Sequence, residues 1–286
     1  MYEPGMDLGG LRADLGALPL GAVDESGVAW VLQDLQGWDS SEARAEVQQR
    51  EGDHGAWFTP VYLGERPITL GGTIIAQDRP SLEAAMERAR VAAGLTDTLL
   101  VVQEAVPKQA TVRRSGRPIL QYQTDAIATY SLLVTAADPR RYAVDEQSAS
   151  TALASSTGGI TPPLTPPITL SATTVSGQID AANPGSFETR PVLRIDGPVA
   201  APRILAQYQD GTVKQLAYSE TIGIGEYLTI DVDGKTAVLN GTASRRRFLS
   251  AQWPVIPAEQ SVSFLFVADV YDPAALLTVT WRPAWQ

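Results

Sequence analysis

Apolar and polar positions alternate with a period of two along most of this chain, the mark of half-buried β-strands. In Ile68-Thr-Leu-Gly-Gly-Thr-Ile74-Ile75, the residues Ile68, Leu70 and Ile74 fall on one side of a pleat and Thr69 and Thr73 on the other. The apolar run Val28-Ala-Trp-Val-Leu32 predicts a second strand upstream. The two strands bracket an excursion of roughly 35 residues, a length that in a compact domain marks a functional or mobile segment. It holds Gly37-Trp38-Asp39-Ser40-Ser41, Arg44, His54, Trp57 and Phe58. This loop, more than the strands, is where a partner is expected.

Residues 1–26 read as a short strand or arm followed by a turn. A helical period stands out once, over 80–93. Pro80 and Ser81 open it, Glu83 suits the positive end of the dipole, and Gly94 stands at the C-terminal cap. Leu82, Met86, Ala89 and Ala93 form its apolar stripe, with Glu87 and Arg90 three apart on the wet face. Strand-like runs follow at Thr98 to Val106, Ala110 to Arg114, Pro118 to Gln123 and Asp125 to Ala136, with Ser115-Gly116 closing the second and third into a hairpin.

Composition shifts after Arg141. The Ser/Thr/Pro-rich stretch holding Thr161-Pro-Pro-Leu and Thr165-Pro-Pro-Ile favours extended backbone and reads as a connector over 142–168. A ligand for a proline-recognising module is the weaker alternative. Beyond it come short, evenly spaced strands at Val192 to Ile195, Ile204 to Gln209, Val213 to Tyr218, Tyr227 to Val232, Thr236 to Leu239, Val262 to Ala268 and Leu276 to Trp281. Asp210-Gly211 and Asp233-Gly234 are predicted to supply the positive φ angles of tight hairpins. The expected fold is mainly β, two antiparallel β-sandwich domains: residues 1–141 with a single packed α-helix, and residues 169–286 as a sandwich or jelly roll.

A chain of 286 residues has volume for two cores. Its 22 basic and 32 acidic residues leave a net charge of −10, which argues against binding duplex DNA or an anionic membrane by counterion release. There is no cysteine, so no disulfide framework, thiolate nucleophile or cysteine metal site is available. The N-terminus shows no signal-peptide pattern and no run of about 18 apolar residues occurs, so a soluble chain made in the cytoplasm, without membrane insertion, is expected.

Chemistry is sparse. His54 is the only histidine, and no Gly-x-Ser-x-Gly elbow accompanies it, so it reads as a polar loop residue. Asp231-Val-Asp233-Gly234 lacks the later acidic ligand of a calcium loop and reads as a turn. Glu220, Glu226, Asp231 and Asp233 are the carboxylates that a glycosidase would need in a facing pair, though acids flanking hairpins are commonly just solvated. The Gly-rich pieces Gly223-Ile-Gly225 and Gly71-Gly72 lack a phosphate loop's lysine and read as bulges or turns. No catalytic residue, cofactor or metal site is expected. Arg245, Arg246 and Arg247 form the one basic cluster, either a salt-bridged partner contact or a solvated loop. Trp38, Trp57 and Phe58 are interface anchors or core plugs. Trp253 and Trp285 are candidates for stacking on a sugar, whereas Trp281 alternates with Val279 and Leu277 as strand core.

The order Gly37-Trp38-Asp39-Ser40, Arg44, Asp53-His54-Gly55-Ala56 and Ile68-Thr69-Leu70-Gly71-Gly72-Thr73-Ile74 resembles the distal tail proteins of long-tailed phages, especially those infecting actinobacteria. A second match runs through Asn183-Pro184-Gly185-Ser186-Phe187, Arg190-Pro191, Ile230-Asp231-Val232-Asp233, Val238-Leu239-Asn240-Gly241-Thr242, Ser244-Arg245-Arg246 and Thr280-Trp281-Arg282-Pro283-Ala284-Trp285. The resemblance implies a ring-forming N-terminal domain, a galectin-like C-terminal one and a hexameric ring in the virion. Its implied partners are the tail tube protein, the tail-tip hub or tail-associated protein and a receptor-binding protein. Trp38, Arg44, Trp57, Phe58, Arg245 and Arg246 are then the candidate subunit or partner contacts. Two other classes stay open: a carbohydrate-binding module for host glycans, using Trp253 and Trp285, and a cell-wall hydrolase.

Overall fold

A computed structural model describes residues 3–157 and 173–286, and it divides them into two compact units: Met1–Val144 with Gln286, and Asp145–Trp285. Each unit has its own apolar core.

The first unit opens with strands β1 (Ala13–Leu15), β2 (Leu18–Leu20) and β3 (Ala29–Gln36). Four short strands occupy the excursion: β4 (Ala43–Arg44), β5 (Val47–Gln49), β6 (Ala56–Phe58) and β7 (Tyr62–Leu63). Then come β8 (Arg66–Ile75), helix α1 (Arg79–Ala92), β9 (Thr98–Val102), β10 (Lys108–Arg114), β11 (Ile119–Tyr122), β12 (Ile127–Ala136) and β13 (Arg141–Ala143).

Antiparallel pairing runs in the order β2-β1-β9-β10-β12-β8-β3. β10 turns the corner, because Lys108 to Val112 pair with β9 while Arg113 and Arg114 pair with β12. The predicted hairpin of Ala110 to Arg114 with Pro118 to Gln123 does not form. β11 pairs along β12 instead, Ile119 opposite Ser131 and Tyr122 opposite Ala128, while the Ser115 amide bonds the Leu133 carbonyl. Ser115-Gly116 thus carries the chain onward along the same edge of β12 rather than back along β10.

Ile68, Leu70 and Ile74 are fully buried, as the period-two pattern requires. Gly72 is held for another reason: a Cβ there would lie 1.9 Å from the Val31 carbonyl oxygen and within 2.9 Å of the Tyr130 ring. The register of β3 on β8 slips at that point, between Leu32 and Asp34, so the glycine pair faces a β-bulge in the partner strand. Trp30 packs edge-on against Tyr130, with 6.1 Å between ring centroids. Burial raises the Tyr130 phenol well above its ordinary value, and its hydroxyl donates to the Val31 carbonyl.

Helix α1 is capped by Asp78, whose carboxylate accepts the Ser81 amide at 2.9 Å. Pro80 sits in the first turn, where its missing N–H costs nothing. Leu82, Ala85, Met86 and Ala89 are buried, each worth about 1–3 kcal/mol of transfer free energy according to size. The cap falls at Ala93, one residue before the expected Gly94.

The second unit starts earlier than its composition suggests. β14 (Gln147–Ala152) lies inside the stretch read as a connector, yet it pairs along its full length with a core strand. β15 (Ser155–Thr157) and β16 (Thr173–Val175) pair with each other. The Thr-Pro-Pro repeats lie between them, outside the described residues. The next strands are β17 (Gln178–Asn183), β18 (Val192–Asp196), β19 (Val199–Ala200), β20 (Arg203–Gln207), β21 (Val213–Tyr218), β22 (Thr221–Ile222) and β23 (Tyr227–Asp231). The last are β24 (Thr236–Leu239), β25 (Ala243–Ser244), β26 (Leu249–Ala251), β27 (Gln260–Val267), β28 (Leu276–Trp281) and β29 (Ala284–Trp285).

Two antiparallel sheets result, ordered β14-β28-β18-β23-β24-β25 and β17-β27-β20-β21-β26. Leu193, Ile195, Leu228, Ile230, Leu277 and Val279 from the first sheet share one core cluster with Ile204, Val262, Phe264 and Phe266 from the second. This is the mainly β fold with one α-helix, among the described residues, that the patterning predicts. At Asp210-Gly211 the positive φ falls on the glycine, as expected; at Asp233-Gly234 it falls on Lys235, because the connection runs from Asp231 opposite Thr236. No helix of the described residues is long and apolar enough to cross a membrane.

Asp24, 7 % exposed, ties the start of β3 to α1. Its carboxylate accepts from the amides of Ser26 and Val28, the Ser26 hydroxyl and the Trp30 indole, and it pairs with Arg88 at 2.9 Å. Burial pushes its pKa up, but the hydrogen bonds and Arg88 outweigh that and leave it below the ordinary value. A carboxylate with a depressed folded pKa adds stability above the unfolded pKa, about 3.9, and loses it as pH falls through the folded value. Asp24→Asn is therefore expected to cost about 1–3 kcal/mol at pH 7. The difference from wild type should shrink as pH falls below about 4, read from urea midpoints at several pH values.

Candidate functional site

Between β3 and β8 the chain builds a two-rung arm. β4 pairs with β7, Arg44 opposite Tyr62, and further out β5 pairs with β6, Val47 opposite Phe58 and Gln48 opposite Trp57. Two residues separate the rungs on the outgoing strand and three, Thr59-Pro60-Val61, on the return. The Glu46 amide and carbonyl both bond the Thr59 hydroxyl, at 3.1 and 2.7 Å, and so bridge the irregularity. Gly52 and Gly55 take positive φ at the tip, and the Arg50 amide bonds the Gly55 carbonyl there. Alternation puts Val47 and Phe58 on one face and Trp57 on the other, where the Arg50 guanidinium stacks 4.3 Å from the Trp57 ring. Trp57 is 60 % and Phe58 87 % exposed, and Val47, Val61 and Tyr62 are exposed too. His54 lies at the exposed tip with its amide bonded to the Asp53 carboxylate.

The root of the arm is the opposite of its tip. Trp38 is only 2 % exposed and lies in the core, so it anchors the arm to its own domain and presents no surface to a partner. Its indole donates to Glu104, which also pairs with Lys108 and lies 3.6 Å from Arg141. Burial pushes Glu104 up, but Lys108, Trp38 and Arg141 outweigh it and hold the carboxyl below the ordinary value. Gly37 is at φ 80°, and a Cβ there would stand 2.0 Å from the Pro67 carbonyl oxygen.

Arg66, at the start of β8, is fully buried. Its Nε and Nη2 donate to the Pro139 carbonyl at 2.9 and 2.7 Å, and Nη1 donates to the carbonyls of Trp38 and Gly37. Burial, with the Arg141 charge nearby, lowers its pKa to about 10, still far enough above neutrality to keep it charged. The sequence reading missed Arg66 and Glu104, because neither sits in a motif or a charge cluster; the available signal was an arginine opening an otherwise apolar strand.

Arg44 lies on the arm with a long contact, 3.4 Å, to the Leu63 carbonyl. The basic cluster of the second unit is mostly spent inside that unit. Arg245 pairs with Glu220 at 3.6 Å, and Arg246 donates to the Leu249 carbonyl while its guanidinium covers the Trp253 ring at 5.0 Å. Trp253, half-buried against the core, therefore does not offer an open ring as a sugar platform. Trp285 is half-buried in β29, and Trp281 is buried with its indole bonded to the Ala182 carbonyl.

The four carboxylates hold local structure. Glu220 takes the Tyr218 hydroxyl, Glu226 the Gly223 amide and Asn240, Asp231 the amides of Asp233 and Gly234, and Asp233 pairs with Arg190. Among the described residues no group of three or more His, Asp or Glu is placed to hold a metal. The arm is thus an exposed apolar and aromatic hairpin set on a polar, hydrogen-bonded root.

Arg66→Met would leave the carbonyls of Gly37, Trp38 and Pro139 without their donor. We expect a loss of about 3 kcal/mol in urea unfolding and faster amide exchange at Trp38. Arg66→Lys should recover only part of it, since one ammonium cannot reproduce the planar fork.

No family model and no curated protein matches the sequence. Solved structures do match. The Dit protein of phage SPP1, described as a paradigm of the hub adsorption apparatus in phages infecting Gram-positive bacteria, superposes with a TM-score of 0.63 at 14 % identity, covering 90 % of this chain and 93 % of that one. Two structures of the phage P2 baseplate in its activated conformation, with calcium and with strontium, give TM-scores of 0.50 and 0.52 at 10 % and 11 % identity. They cover 94 % and 95 % of this chain and 97 % and 98 % of theirs. This chain has the fold of the phage Dit hub and baseplate proteins.

Proposed function

We propose that this chain is a structural virion protein, with no enzymatic role, that closes a ring of six copies at the distal end of a phage tail. The first units form the ring, which joins the tail tube protein above to the tail-tip hub and receptor-binding apparatus below. It is made in the cytoplasm of the host bacterium and assembled into the tail. The observation that carries this reading is the extent of the likeness to the SPP1 hub protein: it covers 90 % of this chain, and so takes in both of its units, against 93 % of that one.

Three further features support it. Ring closure needs one face of a subunit to meet a different face of the next, and the arm is a protruding surface without an apolar partner in its own unit. The net charge of −10 would let DNA pass a lumen without sticking. The four carboxylates weighed as chemistry are engaged in turns, side-chain hydrogen bonds and an ion pair, and the histidine sits at the exposed tip of the arm.

Size-exclusion chromatography with light scattering is expected to show a species near six times the 30.5 kDa chain, seen as closed rings by negative staining. The Gly64 amide bonds the Glu42 carbonyl at 2.7 Å, so residues 43–63 can be replaced by an Asn-Gly turn without straining the root. That armless protein should melt like wild type and run as a monomer. Rings from it would remove the arm from the interface.

A further inference from the structure

Resting on that ring reading, the geometry points to the place where the arm goes: we propose that the Val47–Phe58 face of one copy seats in an apolar groove of the next, between the end of α1 and the β1–β2 turn. The groove has a volume of about 480 Å³ and is walled by Leu15, Ala17, Leu18 and Pro19 on one side and by Val91 and Ala92 on the other. Val91 is 77 % exposed and Leu95, just past the helix, 75 % exposed, so the apolar surface continues onto the outside of the unit. The ion pair of buried Asp24 with exposed Arg88 closes the polar end, and Glu87, paired with Arg90, stands on the rim.

Three observations select a second copy as the occupant. The arm carries an unburied apolar face: Phe58 and Val47 are opposite one another on one rung, exposed, and outside the core cluster of their own unit. A Phe ring buries about 150 Å² or more, which suits a slot of this size and apolar lining. The arm offers roughly 20 residues between Ala43 and Leu63, the number one side of a standard interface supplies. Arm and groove are built from different elements of one chain, so pairing them is heterologous and propagates from copy to copy until it closes.

The test uses two exposed positions whose substitution leaves the core intact. Phe58→Asp spoils the arm and keeps the groove; Val91→Asp spoils the groove and keeps the arm. By light scattering each variant alone should shift from ring mass to monomer mass, with melting curves matching wild type. A one-to-one mixture should stop at dimers, because one intact arm meets one intact groove and both remaining ends are blocked.

The absence of cysteine permits a second readout in the full chain. A Phe58→Cys, Val91→Cys double variant treated with a short bis-maleimide should give a ladder beyond the dimer, whereas each single-cysteine variant should not. Rings from either aspartate variant, or a double-cysteine variant no more cross-linked than the singles, overturn the docking. Wild-type rings alongside that result would leave the ring reading standing, and a monomeric wild type alongside it would sink both.

Discussion

The first unit depends on a buried cation that is satisfied by backbone oxygen. Arg66 lies beneath the arm with its guanidinium spread over the carbonyls of Gly37, Trp38 and Pro139. Desolvating a guanidinium costs several kcal/mol, and the cost is met only when all three segments are in place together. The exit of β3, the entry to β8 and the turn after β12 are therefore fixed relative to one another by a single side chain. Glu104 does the same for the Trp38 ring, with Lys108 and Arg141 balancing its charge. A protruding hairpin with little core of its own is thus aimed by a polar knot at its base.

The motifs that carry the family resemblance mark places where backbone crowds backbone. An added Cβ would lie 2.0 Å from a carbonyl oxygen at Gly37 and 1.9 Å at both Gly72 and Gly185. In Asn183-Pro-Gly-Ser-Phe, the asparagine is 1 % exposed, and its amide donates to the carbonyls of Phe187, Ile256 and Pro257 while accepting from the amides of Gly185 and Ala284. Such positions specify architecture and leave reactivity out.

Much of the fold was legible because both cores follow the period of two, and α1 because its cap, proline and apolar stripe agree. Pairing partners were less so. The run 118–123 looked like the second half of a hairpin with 110–114, but a short turn signal does not say which neighbour a strand will choose when a longer strand, β12, offers more ladder bonds. Gln147–Ala152 was hidden by its serine and alanine content, since β14 borrows its stability from β28. In the arm, the sequence left Trp38, Trp57 and Phe58 alike open as interface anchors or core plugs; Trp38 could not be singled out as core because its neighbours Arg66, Glu104 and Arg141 are all distant in sequence. The groove beside α1 was invisible for the same reason: Val91 looks like an ordinary helix residue until the turn at Gly16 is brought beside it.

The pairing of β15 with β16 has a consequence for how such a chain acquires new parts. Thr157 and Thr173 stand opposite each other across a ladder that pairs without any residue between them, so the two points it joins are neighbours in space. Loop-closure entropy grows slowly, about 0.6 kcal/mol for each doubling of length, so a far longer insert at this point would disturb neither core. The second unit thereby carries a built-in port at which a further module can be grafted while the remainder of the molecule keeps its form.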